Sequence, residues 1–148
     1  MTRVALDTNI LIYAELEPES DKGQRAADLI LCVSSDGVIP VQALGEYLHF
    51  VRRRAPLALG DAMQQAAIYS ATFLAPATTS EIIGAAAELA RVHHMQLWDA
   101  VVCAASAAAG AKVLLSEDMQ DGRVVGGLRI VNPFELANAA AIEALFGE

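Results

Sequence analysis

The residues able to do chemistry in this chain are carboxylates, and several stand at the edge of an apolar run. Val4-Ala5-Leu6 ends in Asp7, followed by Thr8 and Asn9. An acid at the carboxyl end of an early buried strand lies where open α/β sheets place their chemistry. Three further segments supply Glu46, Asp99 and the group Glu117, Asp118 and Asp121. Carboxylates converging from distant parts of a small chain repel one another unless a divalent cation holds them. That points to a metal site. Oxygen ligands of this kind suit Mg²⁺ or Mn²⁺.

Each of these acids also has a purely structural explanation. Asp7, Thr8 and Asn9 are all good helix N-caps. Glu46 shares a polar stripe with Gln42, His49 and Arg53, while Val41, Leu44, Leu48 and Val51 repeat at the helical period. Such a stripe is ordinarily a solvated face. Asp99 opens a helix, where the dipole favours an acid. Its neighbours Leu97, Trp98, Val101 and Val102 are apolar, so this helix end is expected to be half-buried and its carboxylate to need a partner. Asp118 follows the strand Val113-Leu114-Leu115 more closely than Asp121 does, and Asp121-Gly122 is a turn pair. Asp118 is therefore the stronger ligand candidate. His93 and His94 read as the basic close of a helix, and Trp98 and the other aromatics as core. Arg52-Arg53-Arg54 is the one basic run; it closes the helix that carries Glu46, where Arg53 and Arg54 can line a phosphate path. No Gly-rich phosphate loop and no serine nucleophile elbow occurs.

Positioning these residues takes an alternation of short apolar strands and helices. Strands are expected at 3–6, 38–40, near 73–75, 112–115 and 128–131. Helices are expected at about 8–15, from a Ser20 or Asp21 cap to about Ser34, and at 41–54, 60–71, 80–94 and 98–109. Pro56 interrupts the chain, Gly110 stops the helix before it, and Pro133 leads into a C-terminal helix. Residues 116–122 read as a loop. This pattern means an α/β fold, with a mostly parallel central sheet flanked by helices on both sides. The 148 residues suit a single domain over 1–148.

Composition narrows the class. Hydrophobic residues make up 55% and mean hydropathy is +0.39, largely through alanine, yet no apolar run reaches the roughly 20 residues that span a membrane. The start carries no secretory pattern. Cys32 and Cys103 are isolated in apolar helical segments and read as buried free thiols in a reducing cytoplasm. The net charge of −8 argues against nucleic-acid binding by bulk electrostatics. It does not exclude a metal nuclease, because bound cations cancel part of the acid.

Taken in order, Val4-Ala5-Leu6-Asp7-Thr8-Asn9, Glu46, Leu97-Trp98-Asp99-Ala100, Leu114 to Gly122 and Val131-Asn132-Pro133-Phe134 resemble the PIN domain. Within it they resemble the VapC-type ribonuclease toxins of toxin–antitoxin pairs, over nearly the whole chain. The resemblance implies a PIN-like fold and carries the acidic quartet onto Asp7, Glu46, Asp99 and Asp118. It places Ser116 as the hydroxyl that ties down Asp7 and Asn9 as a supporting polar group. For Asp121 it leaves direct, water-mediated and absent metal contact all open. It further implies RNA hydrolysis with Mg²⁺ or Mn²⁺, a homodimer, and a cognate antitoxin that blocks the site. Three other classes compete. A haloacid-dehalogenase-like phosphatase needs an acid where Asn9 stands, and a receiver domain needs a mid-chain phospho-acceptor that Val38-Ile39-Pro40 lacks. A non-catalytic PIN-like scaffold would not need all four acids.

Overall fold

The computed structural model describes residues 2–33 and 35–147. Strand β1 (Val4–Leu6) is buried throughout and runs straight into α1 (Thr8–Leu16). Helix α2 (Asp21–Val33) packs on α1 so closely that a Cβ at Gly23 would stand 1.7 Å from the Glu17 carbonyl oxygen. Only glycine fits there. The Gly23 N–H donates to Ser20 Oγ at 2.9 Å, so Ser20 rather than Asp21 caps α2. Ser34, expected near the end of this helix, lies outside the described residues.

Helices α3 (Val41–Arg54) and α4 (Leu59–Thr72) flank a 3₁₀ turn at Pro56–Ala58. Helices α5 (Ser80–His93) and α6 (Leu97–Ala108) form the next pair. His94 closes α5 in the left-handed conformation, with φ of 54°. Alanines let α6 sit deeply, buried from Ala100 to Ser106. Strands β2 (Val113–Leu115), β3 (Val124–Val125) and β4 (Leu128–Val131) follow, then a 3₁₀ turn at Leu136–Asn138 and α7 (Ala139–Phe146).

The sheet order is β1-β2-β4-β3, with β1, β2 and β4 parallel and β3 antiparallel to β4. The period-two alternation of strands splits the core between two faces. Val4, Leu6, Val113 and Leu115 pack against residues of α1 to α4 and Ile142 of α7. Ala5, Leu114 and Ile130 pack against Val102 and Cys103 of α6. A mostly parallel sheet with helices on both faces is thus the observed architecture, as the alternation of elements predicts.

Several expectations need correction. Gly126 and Gly127, with φ of 56° and 80°, form a two-residue hairpin turn that adds β3, an element not expected from the sequence. Val38 and Leu74 form only isolated bridges, Val38 to Ala5 and Leu74 to Val38, rather than strands. Cys32 is exposed, because the buried positions of α2 are Gly23, Ala26, Leu29 and Val33 and Cys32 falls off that stripe. Cys103 is buried as expected, and burial pushes its thiol up to about 12. Trp98 is 45% exposed rather than core, since it precedes the buried run of α6. Val41, the first residue of α3, is exposed for the same kind of reason. Among the described residues no helix is long and apolar enough to cross a membrane.

Candidate metal centre

Parallel pairing puts the carboxyl ends of β1 and β2 side by side, with Leu6 opposite Leu115. The chain therefore leaves the sheet as Asp7 on one strand and Ser116 on the next. Asp7 is only 5% exposed and caps α1. Its Oδ1 accepts from the Thr8 N–H at 2.8 Å, and its Oδ2 accepts from the Ser116 hydroxyl at 2.7 Å and from Asn9 Nδ2 at 3.4 Å. Asn9 bridges the two strand ends. Its Nδ2 also donates to Asp118 Oδ2 at 3.3 Å, and its Oδ1 accepts the Glu117 N–H at 3.1 Å.

Glu46 sits in the second turn of α3. The Thr8 hydroxyl donates to Glu46 Oε2 at 3.2 Å and lies 3.3 Å from the Ala43 carbonyl oxygen, which draws α3 toward the end of β1. Asp99 lies in the first turn of α6, where Gln96 Oε1 accepts its N–H at 2.9 Å. As expected, Asp99 is half-buried.

Asp7, Glu46, Asp99 and Asp118 line one cavity of about 300 Å³, together with Thr8, Asn9, Ile12, His49, Phe50, Arg53 and Arg54. A larger cavity of about 610 Å³, lined by Arg3, Asp36 and Lys112 among others, has no such set of acids. Chemistry rather than volume marks the site. Ser116 lies beneath it, fully buried. Asp121 is outside the lining: its exposed carboxylate accepts from the Asn132 N–H at 2.8 Å and from Asn138 Nδ2 at 3.0 Å, tying down the segment after β4. Glu117 turns away too, accepting from the Tyr13 hydroxyl and the Lys22 ammonium, each at 2.5 Å.

Asp7, Glu46 and Asp99 are all held above the usual carboxylate range, by burial first and by neighbouring charge second. Burial pushes Asp7 up to about 6, against the hydrogen bonds from Ser116 and Thr8, and the charges of Asp99 and Asp118 add to the rise. Burial, then the charge of Asp7, pushes Glu46 up to about 7. Asp99 is raised by burial and by Asp118. Among the described residues, no three His, Cys, Asp or Glu side chains stand close enough to hold an ion in this arrangement. The donors are nonetheless all oxygens, the set that hard divalent cations take. Asp7 is anchored, whereas Glu46 and Asp99 are half-buried and Asp118 is exposed, so these three have room to turn.

Thr8, His49 and Phe50 belong to this cavity and were not picked out as site residues from the sequence. The available signal was spacing: His49 and Phe50 lie three and four residues after Glu46, hence on its face of α3.

No protein-family model and no curated protein sequence matches the chain. Solved structures do. A toxin–antitoxin complex from Klebsiella pneumoniae is 19% identical, covers 90% of this chain and 99% of its own, and superposes with a TM-score of 0.66. VapC20 from Mycobacterium tuberculosis, a sarcin-ricin loop cleaving toxin, is 18% identical over 78% of this chain and 89% of its own, with a TM-score of 0.65. VapBC2 from Rickettsia felis, bound to a DNA fragment from their promoter, is 15% identical over 88% and 98%, with a TM-score of 0.64. At these identities the likeness is one of fold: the chain has the fold of VapC-type toxins.

Proposed function

We propose that the chain is an endoribonuclease of the PIN-domain, VapC type, dependent on Mg²⁺ or Mn²⁺, and the toxin of a toxin–antitoxin pair. One observation carries the reading: four acids far apart in sequence line a single cavity whose wall also holds Arg53 and Arg54. The shared fold with toxins, one of them a sarcin-ricin loop cleaving toxin, supports it.

Asp7, Glu46, Asp99 and Asp118 would hold a divalent cation, which would supply positive charge against the scissile phosphate and make water a better nucleophile. The chain's own residues do the rest. Ser116, Thr8 and Asn9 hold Asp7 in one orientation, and Asn9 ties Asp118 to it. Thr8 engages Oε2 of Glu46 and holds that carboxylate at the cavity, and one of the four carboxylates would accept the proton of the attacking water. Arg53 and Arg54 contact the RNA on the outer side of the cavity. No protein nucleophile is required. Asn9 hydrogen-bonds Asp7, Glu117 and Asp118 where a haloacid-dehalogenase-like phosphatase has its second acid, and this disfavours that alternative.

The partners follow the same reading: a cognate antitoxin, a homodimer, and action in the cytoplasm. An antitoxin guanidinium placed among the four acids pairs with them bidentately and competes with the metal. Incubation of antitoxin-free protein with total RNA tests the function, with the cut ends mapped. Defined cleavage with Mn²⁺ that EDTA abolishes is the expected outcome. Absence of cleavage overturns the proposal and leaves a non-catalytic scaffold as the better description, and cleavage indifferent to EDTA overturns its metal dependence.

A further inference from the structure

Helix α3 carries a graded stripe along its cavity-facing side. Glu46 stands nearest the sheet, then His49 and Phe50, then Arg53 and Arg54, at steps of three and four residues. The acids account for Glu46 and phosphate binding for a guanidinium, but neither needs an aromatic ring. Phe50 is only partly buried, lines the cavity, and has the Arg54 guanidinium 5.8 Å from its ring centroid. A ring and a cation are thus already paired at the open end of the acidic cavity. At about 1.5 Å of rise per residue, Phe50 lies about 6 Å along the helix from Glu46, and Arg53 and Arg54 about 11 Å.

We propose that Phe50 and Arg54 form a stacking subsite for one base of single-stranded RNA, the base of the nucleotide next to the cleaved phosphodiester. This inference rests on the ribonuclease reading and adds how the substrate is gripped. A net charge of −8 disfavours a purely electrostatic hold on RNA. Stacking on an aromatic ring gives affinity without opposing that charge, and it tolerates any base because every base has a π-face. An unpaired, splayed-out base can reach such a ring, whereas a base inside an A-form duplex cannot. The subsite therefore selects loops and single strands over duplex RNA. Arg54 stacks with the ring and base, while Arg53 is left to the neighbouring phosphate.

The test is equilibrium binding of a short single-stranded RNA to the full chain in EDTA, with an abasic nucleotide walked through the oligonucleotide. Phe50→Ala is expected to weaken binding of intact RNA about tenfold or more, and Phe50→Trp to restore it. The Phe50→Ala penalty should vanish when the abasic nucleotide falls at one particular position, beside the cut site mapped with Mn²⁺. Circular dichroism on each variant excludes misfolding. Equal affinity of Phe50→Ala and wild type overturns the subsite, as does a penalty that persists at every abasic position. If wild type cleaves RNA while either result holds, only the subsite falls. If wild type neither binds nor cleaves RNA, the ribonuclease reading falls with it.

Discussion

Replacing Asp7 by Asn should make the metal-free protein more stable at alkaline pH, although it removes the best-ordered acid of the site. The folded chain holds the Asp7 proton up to about pH 6, against a reference near 3.8. Between those values the unfolded chain has released the proton and the folded one has not, so raising the pH favours unfolding. The gap corresponds to about 3 kcal/mol, fully lost above the folded pKa. Asn carries no such penalty. It does place an amide N–H₂ where Asp7 Oδ2 accepts from Ser116 at 2.7 Å and Asn9 at 3.4 Å; the Ser116 hydroxyl can turn to accept, the Asn9 amide cannot, a loss of about 1 kcal/mol. The variant should therefore exceed wild type by about 1–2 kcal/mol near pH 8, which is about 3–6 °C in Tm for a chain of this size. The advantage should disappear or reverse near pH 4. Thermal unfolding in EDTA across that range measures the difference, to which relief of Glu46, held up in part by the Asp7 charge, adds in the same direction. Adding Mn²⁺ near pH 8 should raise the Tm of wild type and leave the variant unmoved. A variant less stable than wild type near pH 8, or a difference independent of pH, refutes the reasoning.

Other consequences are quickly checked. Asp118→Asn should abolish most RNA cleavage, whereas Asp121→Asn should leave cleavage largely intact and cost about 1 kcal/mol of stability by weakening its bonds to Asn132 and Asn138; steady-state cleavage and urea unfolding together separate the two. Asn9→Ala leaves the Glu117 N–H unpaired and frees Asp118, so it should cost about 1–3 kcal/mol in urea unfolding and lower cleavage further than that loss explains. Gly23→Ala drives a methyl into the Glu17 carbonyl oxygen and should destabilise by more than about 2 kcal/mol without altering the cavity, read by denaturation. Replacing Arg53 and Arg54 together by Ala should weaken RNA binding and flatten its dependence on salt, while antitoxin affinity stays nearly unchanged.

The acids and most of the frame were legible in the sequence because they follow local rules. Asp7 and Asp118 come just after apolar strands, and Asp99 opens an apolar helix, so position alone assembles them once β1 and β2 pair. Glu46 was harder. Its stripe with Gln42, His49 and Arg53 looks solvated, and only the tertiary contact through Thr8 turns that face toward the cavity. The exposure of Cys32 and Trp98 was not legible for the same reason, since burial depends on which side of a helix the sheet takes. The β3 hairpin is a different case. Gly126-Gly127 between Val125 and Leu128 is a local turn signal, and it passed unread because Val124-Val125 is too short for its own periodicity.

The central claim, one divalent-cation site shared by acids from four segments, is tested most directly by titrating Mn²⁺ calorimetrically into the wild-type chain and into Asp7→Asn and Asp99→Asn. The account predicts saturable binding to wild type near neutral pH and a loss of at least about tenfold in affinity in each variant, since each removes a ligand outright rather than an outer partner. Unchanged Mn²⁺ binding in both variants, or no binding to wild type, contradicts it.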